Sequence, residues 1–506
     1  MYVWFGFWAV VAVIETLVYA FTAQLFERAK TLRYIVAGLL VSAIVLANFG
    51  LMSYDWTVWC APMLLMPYRL LNSVRFAWHR LHSARLRAVT LRTHIWIISA
   101  QIILALASWL LRDVEAVIIF GILASLQFVG VLTLLRASMQ TWEHAKPQEN
   151  MRHYTDKELP SVSILVPARD ETDALQKCLE SLIANDYPKL EILVLDDCSR
   201  GKKTPEIIRS FAQNGVRFVK GVVPPDEWVA KNYAYEQLRT EASGEILLFC
   251  GVDTLFEPKA VRAILETLLS RGKDMTSVLP TRSPDGGKIV SFLQTMRYYW
   301  ELCLPRRMFK RPPVLSTCWV VRADFLEEAG GFAAMSQSVS PEAHFAKMAV
   351  VQDKYTFVRT HGELQVHSTK SFGDQVDTTV RMRYPQLHRR LELVAGTALF
   401  ELTFFVGPFL GLPLSFLLPH TGAFFALWFA SVLVVEIMYY LISVQTKLNK
   451  PLTAFLTAPF GFAADIVMLH LSMLRYEFGS VNWKGRNVCI PVMRVEPNSP
   501  SLSRRK

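Results

Sequence analysis

SVSILVPARDETDALQKCLESLIANDYPKLEILVLDDCS, residues 161–199, holds a strand, a helix and a second strand in that order. The runs 161–168 and 191–197 are short, apolar and rich in β-branched residues, as buried strands are. Between them, 171–185 spaces its apolar residues as a helix does. Strands joined by helices of about a dozen residues pair in parallel. The pattern continues with a helix at 204–215, a strand at 216–222, a helix at 230–242, a strand at 244–253, a helix at 257–271 and a strand at 274–280. Such a sheet binds ligands beyond the carboxyl ends of its strands. Three of those ends, 167–171, 196–199 and 251–253, each carry at least one acid.

Around this soluble middle the composition changes. The chain has 506 residues, 52% of them hydrophobic, and the apolar residues gather at both ends. A membrane-crossing helix needs about 20 mostly apolar residues. The candidates are 2–24, 34–53, 95–111, 114–135, 393–418, 423–444 and 452–474, with a shorter stretch at 56–71 that contains Pro62 and Pro67. The net charge is +11, but the basic residues crowd beside the apolar segments, as they do at a cytoplasmic membrane face. Nucleic acid is therefore not an expected partner. None of the seven cysteines forms a CxxC pair, and reduced thiols are expected.

Charge also orients the chain. Arg28, Lys30 and Arg33 form one basic loop; Arg69, Arg75, Arg80, Arg85, Arg87 and Arg92 form another. Both face the cytoplasm only if 56–71 crosses as a short span, which leaves 136–392 cytosolic. The tail carries Arg475, Lys484, Arg486, Arg494, Arg504, Arg505 and Lys506. A cytosolic tail then requires that 393–418, with Pro408 and Pro413, or 452–474, with Pro459 and Gly461, enters and returns. The expected organisation is an N-terminal membrane region over 1–140 with about five spans, a soluble domain over 155–390, membrane helices over 391–475 and a basic cytosolic tail over 476–506. Glu15, Glu401, Glu436 and Asp465 fall inside spans, where acids face a bundle interior or a polar cavity. Glu401 and Asp465 either line a route for an acceptor head group or hydrogen-bond between helices.

Acids at strand ends suit a nucleotide: one takes ribose hydroxyls or a base N–H, another a metal on the phosphates. No GxxxxGK[ST] run exists and no GxGxxG follows the first strand, which counts against a P-loop enzyme and a dinucleotide oxidoreductase. The runs VPARDE (166–171), VLDDCS (194–199), EWVAKNYA (227–234), GEILLFCGVDT (244–254) and VNWKGR (481–486) occur in that order. Together they resemble the membrane-bound family-2 glycosyltransferases, in particular bacterial lipid glycosyltransferases such as the hopanoid- and carotenoid-associated enzymes. The likeness covers about 160–350 well and the C-terminal part more loosely.

That resemblance implies a Rossmann-like α/β GT-A domain, cytosolic and inserted between N- and C-terminal α-helical transmembrane bundles. It implies inverting transfer of a sugar from a nucleotide-diphosphate sugar to a lipid or other membrane-associated acceptor. By it, Pro167, Glu171, Asp196 and Asp197 hold the nucleoside, Lys231 lies near the diphosphate and Trp228 shapes the entrance. Asp253 coordinates Mg²⁺ or Mn²⁺. Trp483 and Arg486 close over the donor, the arginine stabilising charge on the leaving diphosphate.

Three departures from the family pattern stand out. The usual Asp-x-Asp is Gly251-Val252-Asp253 here. The usual Glu-Asp pair after a GGF segment, with Asp as general base, is Glu342-Ala343, so Glu342 becomes the candidate base in preference to His344. The Gln-x-x-Arg-Trp motif of polymer-making enzymes keeps Arg383 but has Val380 and Tyr384, which argues against a processive synthase. Each site residue also has a plainer role. Asp253 can cap the next helix, Asp196 and Asp197 a turn, Lys231 a solvated surface. Glu342 can serve as a first-turn acid, and Trp483 with Arg486 as interfacial anchors. The alternative function is a degenerate glycosyltransferase-fold protein that binds nucleotide or lipid as a partner or scaffold.

Overall fold

The computed structural model describes residues 2–21, 30–78, 84–147, 153–225, 227–283, 291–303, 312–479 and 481–488. Arg28, Arg80, Cys489, Arg494, Arg504, Arg505 and Lys506 lie outside the described residues. The chain divides into two compact units. One comprises Met1–Phe128, Arg383–Phe429 and Leu469–Gly479; the other comprises Val129–Met382, Ala430–Met468 and Ser480–Lys506.

The second unit is built on a seven-stranded sheet. Its strands are β1 (Val162–Ala168), β2 (Leu190–Asp196), β3 (Val216–Lys220), β4 (Ile246–Cys250), β6 (Met275–Leu279), β8 (Cys318–Arg322) and β9 (Tyr355–Arg359). A three-stranded sheet adds β5 (Thr254–Phe256), β7 (Thr281–Arg282) and β10 (Val366–Ser368). The large sheet runs β3-β2-β1-β4-β8-β6-β9. The expected strands all form, and β1, β2, β3 and β4 are parallel neighbours. The sheet is mixed rather than wholly parallel, because β8 enters antiparallel between β4 and β6.

Strand alternation sorts the core. Ile164 and Val166 pack on one face with Leu175, Cys178, Leu179 and Leu182 of the helix Asp173–Ile183. Leu165 points to the other face, among Tyr235, Phe249, Trp319, Phe332 and Phe345. Phe249 and Trp319 are register partners across β4 and β8, their rings stacked at 4.2 Å. The fully buried β4 therefore ends rigidly where its acid begins. The register Ala168↔Asp196 likewise brings the two acidic ends of β1 and β2 side by side.

Among the described residues, seven helices are long and apolar enough to cross a membrane: Tyr2–Ala20, Thr31–Tyr54, Val89–Leu111, Ala116–His144, Leu391–Leu417, Thr421–Gln445 and Pro451–Phe478. The stretch 56–71 is not one span-length helix. It falls on two short helices, Trp56–Met63 and Met66–Trp78, parted after Pro62. Neither C-terminal candidate turns back. Residues 402–406 of the first form a π-helical segment, and Pro408 sits in the opening turn of the helix beyond it, where a missing N–H is tolerated. Pro459 lies inside the continuous helix Pro451–Phe478.

Buried charges in the first unit are paired. Arg69 Nε donates to Glu15 Oε2 at 2.8 Å, and Arg383 Nη2 to Glu401 Oε1 at 2.8 Å. In the second unit Trp300 Nε1 donates to Asp465 Oδ2 at 2.7 Å. Glu401 and Asp465 thus belong to different units, and each accepts a hydrogen bond between helices.

Candidate active site

The first half of the site forms where β1 and β2 end. The Asp197 N–H donates to Ala168 O at 2.8 Å, which ties the two strand ends together. Arg169 Nη1 then holds the backbone oxygens of Asp197 and Cys198 at 2.6 and 2.7 Å. Asp170 and Cys198 take left-handed backbone (φ 49° and 53°), so both loops turn sharply. Asp196 Oδ1 accepts the Ser199 N–H at 3.2 Å, which holds the loop after β2. Pro167 lies in β1 opposite Leu195.

The tail meets these acids. Two-residue strands β11 (Asn482–Trp483) and β12 (Arg486–Asn487) form a hairpin through Lys484 and Gly485. Both turn residues have positive φ (49° and 77°), as a two-residue mirror-image turn requires. Lys484 Nζ pairs with Glu171 Oε1 at 2.8 Å, and Arg486 Nη1 with Asp197 Oδ2 at 2.7 Å. Burial still lifts both carboxyls above the ordinary range, with the basic partners opposing it. Arg381 lies over the Trp483 ring at 5.2 Å. Glu171, Asp197, Trp483 and Arg486 are thus brought together, with Arg486 engaged by Asp197.

The second half forms at the end of β4. Asp253 caps no helix, since the next one starts at Ala260, seven residues on. Its backbone oxygen accepts the Thr369 N–H at 2.9 Å, and its Oδ2 lies 3.3 Å from Lys370 Nζ. Lys231 opens the helix Ala230–Glu241 but is not a freely solvated lysine. Its ammonium lies 5.2 Å over the Tyr235 ring, and burial pushes its pKa down to about 8. Glu342 and Asp253 pull that value up, while Arg381 and Lys370 push it down. Acid, candidate base and lysines therefore share one electrostatic neighbourhood. Glu342 is buried in the first turn of the helix Pro341–Val351 and accepts Ser340 Oγ at 2.8 Å. Ala343 packs against the apolar cluster around Phe345.

A resident divalent cation fits this half poorly. Hard cations want about six oxygens. Asp253 offers one carboxylate already engaged by an ammonium, and among the described residues no group of three or more His, Cys, Asp and Glu is placed to hold a metal. Lys370 and Arg381 are absent from the sequence reading. Lys370 reaches Asp253 only because β10 pairs with β5, a contact between distant segments with no spacing signal. Arg381 lies next to Val380 in the stretch where only Arg383 fits the Gln-x-x-Arg-Trp pattern.

These two strand-end clusters lie on one mixed sheet, and long apolar helices precede and follow it in the chain. Residues 163–330 match the family "Glycosyl transferase family 2", and the chain carries a family 2 glycosyltransferase domain. It is 29% identical over 196 residues to the probable glycosyltransferase YdaM of Bacillus subtilis, covering 37% of this chain and 45% of that one. It is 25% identical over 234 residues to the glycosyltransferase AglE of Haloferax volcanii, covering 45% of this chain and 74% of that one. The chain thus spans less than half the length of the Bacillus relative. Among solved structures, it is similar to the mannosyltransferase PcManGT of Pyrobaculum calidifontis, determined with GDP-Man and Mn²⁺. That likeness has 15% identity and a TM-score of 0.42, and covers 70% of this chain and 97% of that one.

Proposed function

We propose that the protein transfers one sugar, with inversion, from a nucleotide-diphosphate sugar to a lipid acceptor at the cytosolic face of the cytoplasmic membrane. The observation that carries this is the shared neighbourhood of Glu342, Lys231 and Asp253 at the end of β4, beside the acids of β1 and β2. In this reading Glu171 and Asp197, with Asp196 and Pro167, take the nucleoside once the tail hairpin yields to the donor. Lys231 faces the diphosphate, while Trp483 and Arg486 close over it again.

The Glu342 carboxylate takes the proton of an acceptor hydroxyl. The freed oxygen attacks the anomeric carbon from the face opposite the phosphate. The bond from that carbon to the diphosphate oxygen breaks, and its electron pair leaves with the nucleoside diphosphate. Positive side chains at the diphosphate lower the barrier by meeting the charge as it develops. A divalent cation expected at Asp253 would have that carboxylate as its one protein ligand, so the step is drawn through side chains alone. Long apolar helices on both sides of the domain support a membrane-held acceptor.

A second reading, a degenerate protein that binds without turnover, is favoured by Gly251 and Ala343 at positions where the family pattern has acids. Membranes containing the full chain, incubated with labelled UDP-, GDP- and dTDP-sugars and lipid extract, decide between them. Labelled lipid is expected, and its loss in Glu342→Gln. Nucleotide binding without transfer from any donor would favour the second reading.

A further inference from the structure

We propose that Lys370 is a built-in cation that takes the place of a divalent metal at the donor diphosphate, so that this site binds nucleoside diphosphates without metal. The inference deepens the proposed function and rests on it.

The backbone sets the geometry. β10 pairs antiparallel with β5 in the register Ser368↔Thr254. The next pair therefore sets Thr369 against Asp253, and Thr369 donates twice to the Asp253 backbone oxygen, from N–H at 2.9 Å and from Oγ1 at 3.3 Å. Lys370 follows directly and has little choice of position. Its side chain is 13% exposed, and its ammonium lies 3.3 Å from the Asp253 carboxylate. A metal bound at that carboxylate would face a fixed positive charge on the same oxygens. An ammonium is a compact point charge with three donors and suits phosphate oxygens.

Gly251 completes the argument. A Cβ built there would lie 2.5 Å from Asp253 Oδ1. The surviving carboxylate therefore occupies the space from which a first acid's side chain would leave the backbone. The missing acid is not a gap open to a metal shell, since Asp253 has folded over it and turned to Lys370. Arg297 adds a further cation felt by Lys370, and its buried Nε has no hydrogen-bond partner among the described residues. Lys231 and Arg381 act on Lys370's neighbourhood from other elements. Asp253 thus feels Lys370 and Lys231, while Lys370 in turn feels Arg297 and Arg381.

The test is calorimetric binding of UDP and GDP to the purified full-length protein in excess EDTA, and again with Mg²⁺ or Mn²⁺. Equal affinity within about threefold is expected, because the charge-assisted contacts are made by side chains. Lys370→Ala should weaken binding by about 10–100-fold, the range for losing a hydrogen bond to a charged group. Lys370→Arg should recover most of that affinity, and an unchanged melting temperature of Lys370→Ala would exclude a folding defect. Binding that disappears in EDTA and returns with metal overturns the proposal and leaves the transferase reading standing. Equal affinity of Lys370→Ala and the parent also overturns it. Absence of binding for either nucleotide under every condition overturns both.

Discussion

The ends of β1 and β2 and the end of β4 solve the same problem differently. Each buries carboxylates near a site for a charged ligand, and each neutralises them with a basic residue from elsewhere in the chain. At β1 and β2 the bases are Lys484 and Arg486, carried on a hairpin of two-residue strands. At β4 the base is Lys370, placed by the β5–β10 pairing and the Thr369 N–H bond to the Asp253 backbone oxygen. Short isolated hairpins are marginal in water, whereas β10 is part of a three-stranded sheet. The difference teaches where the site can move. Under the proposed function, displacing the hairpin uncovers Glu171 and Asp197, while the charge at β4 is expected to keep its place.

The largest expected effect lies beside the fixed half. Glu342→Gln keeps the shape and the Ser340 contact but removes the base, so turnover should fall by about 10²–10⁴-fold. Nucleotide affinity, read by calorimetry, should stay within a few-fold. A parallel loss of affinity would mean that Glu342 holds the site together instead of taking a proton. The next effect belongs to the movable half. Asp197→Asn leaves Arg486 without its charged partner and removes a carboxylate from the nucleoside end. Donor KM should rise by about 10–100-fold, the range for hydrogen bonds to charged groups, with kcat less affected. If KM were unchanged, the acids under the hairpin would not be the nucleoside site.

The same contrast explains what could be foreseen. β1, β2 and β4 were legible because their apolar runs span four or more residues between turns, and β3 and β6, VRFVK and MTSVL, because they follow helical stretches in an alternating pattern. The parallel order of the first four follows from the helices between them. The direction of β8 does not: an apolar run such as Cys318–Arg322 looks the same parallel or antiparallel. β5, β7 and β10 are two or three residues long, below the length at which alternation is visible. Lys370 was therefore hidden, since only the β5–β10 pairing brings it to Asp253. The five-motif pattern pointed to Glu171, Asp197, Lys231 and Asp253, yet was silent on Arg486 turning to Asp197. Membrane helices were readable from length and composition, whereas the π-helical segment at 402–406 depends on backbone hydrogen bonding that no periodicity reports.

A smaller effect probes the hairpin alone. Gly485 has φ 77°, and a Cβ there would lie 3.2 Å from Arg200 Nη1. Gly485→Ala therefore meets both backbone strain, about 1–2 kcal/mol, and a neighbour that must yield. The closed hairpin should become about 5–30-fold less favoured. Limited proteolysis within 481–488 should speed up, and binding of the bare nucleoside should strengthen as competition for Glu171 and Asp197 falls. Slower proteolysis would break the idea that this cover is the looser of the two.

The smallest effect returns to the fixed half and separates binding from folding by sign. Burial holds Lys231 at about 8, below an ordinary lysine, with Glu342 and Asp253 raising it and Arg381 and Lys370 lowering it. Below that pH the ammonium is charged and attracts the diphosphate. As pH rises through about 8 the free site loses the proton, so nucleotide affinity should fall by about tenfold per unit of pH above it. Stability runs the other way. Between about 8 and the unfolded value near 10.4, the unfolded chain binds more protons than the folded one, so this lysine adds stability as pH rises. Weaker binding alongside an unchanged or higher melting temperature is therefore the expected signature. Lys231→Arg, charged throughout this range, should flatten the part of the binding loss centred near 8. A binding curve that Lys231→Arg leaves unchanged would place the titrating cation elsewhere.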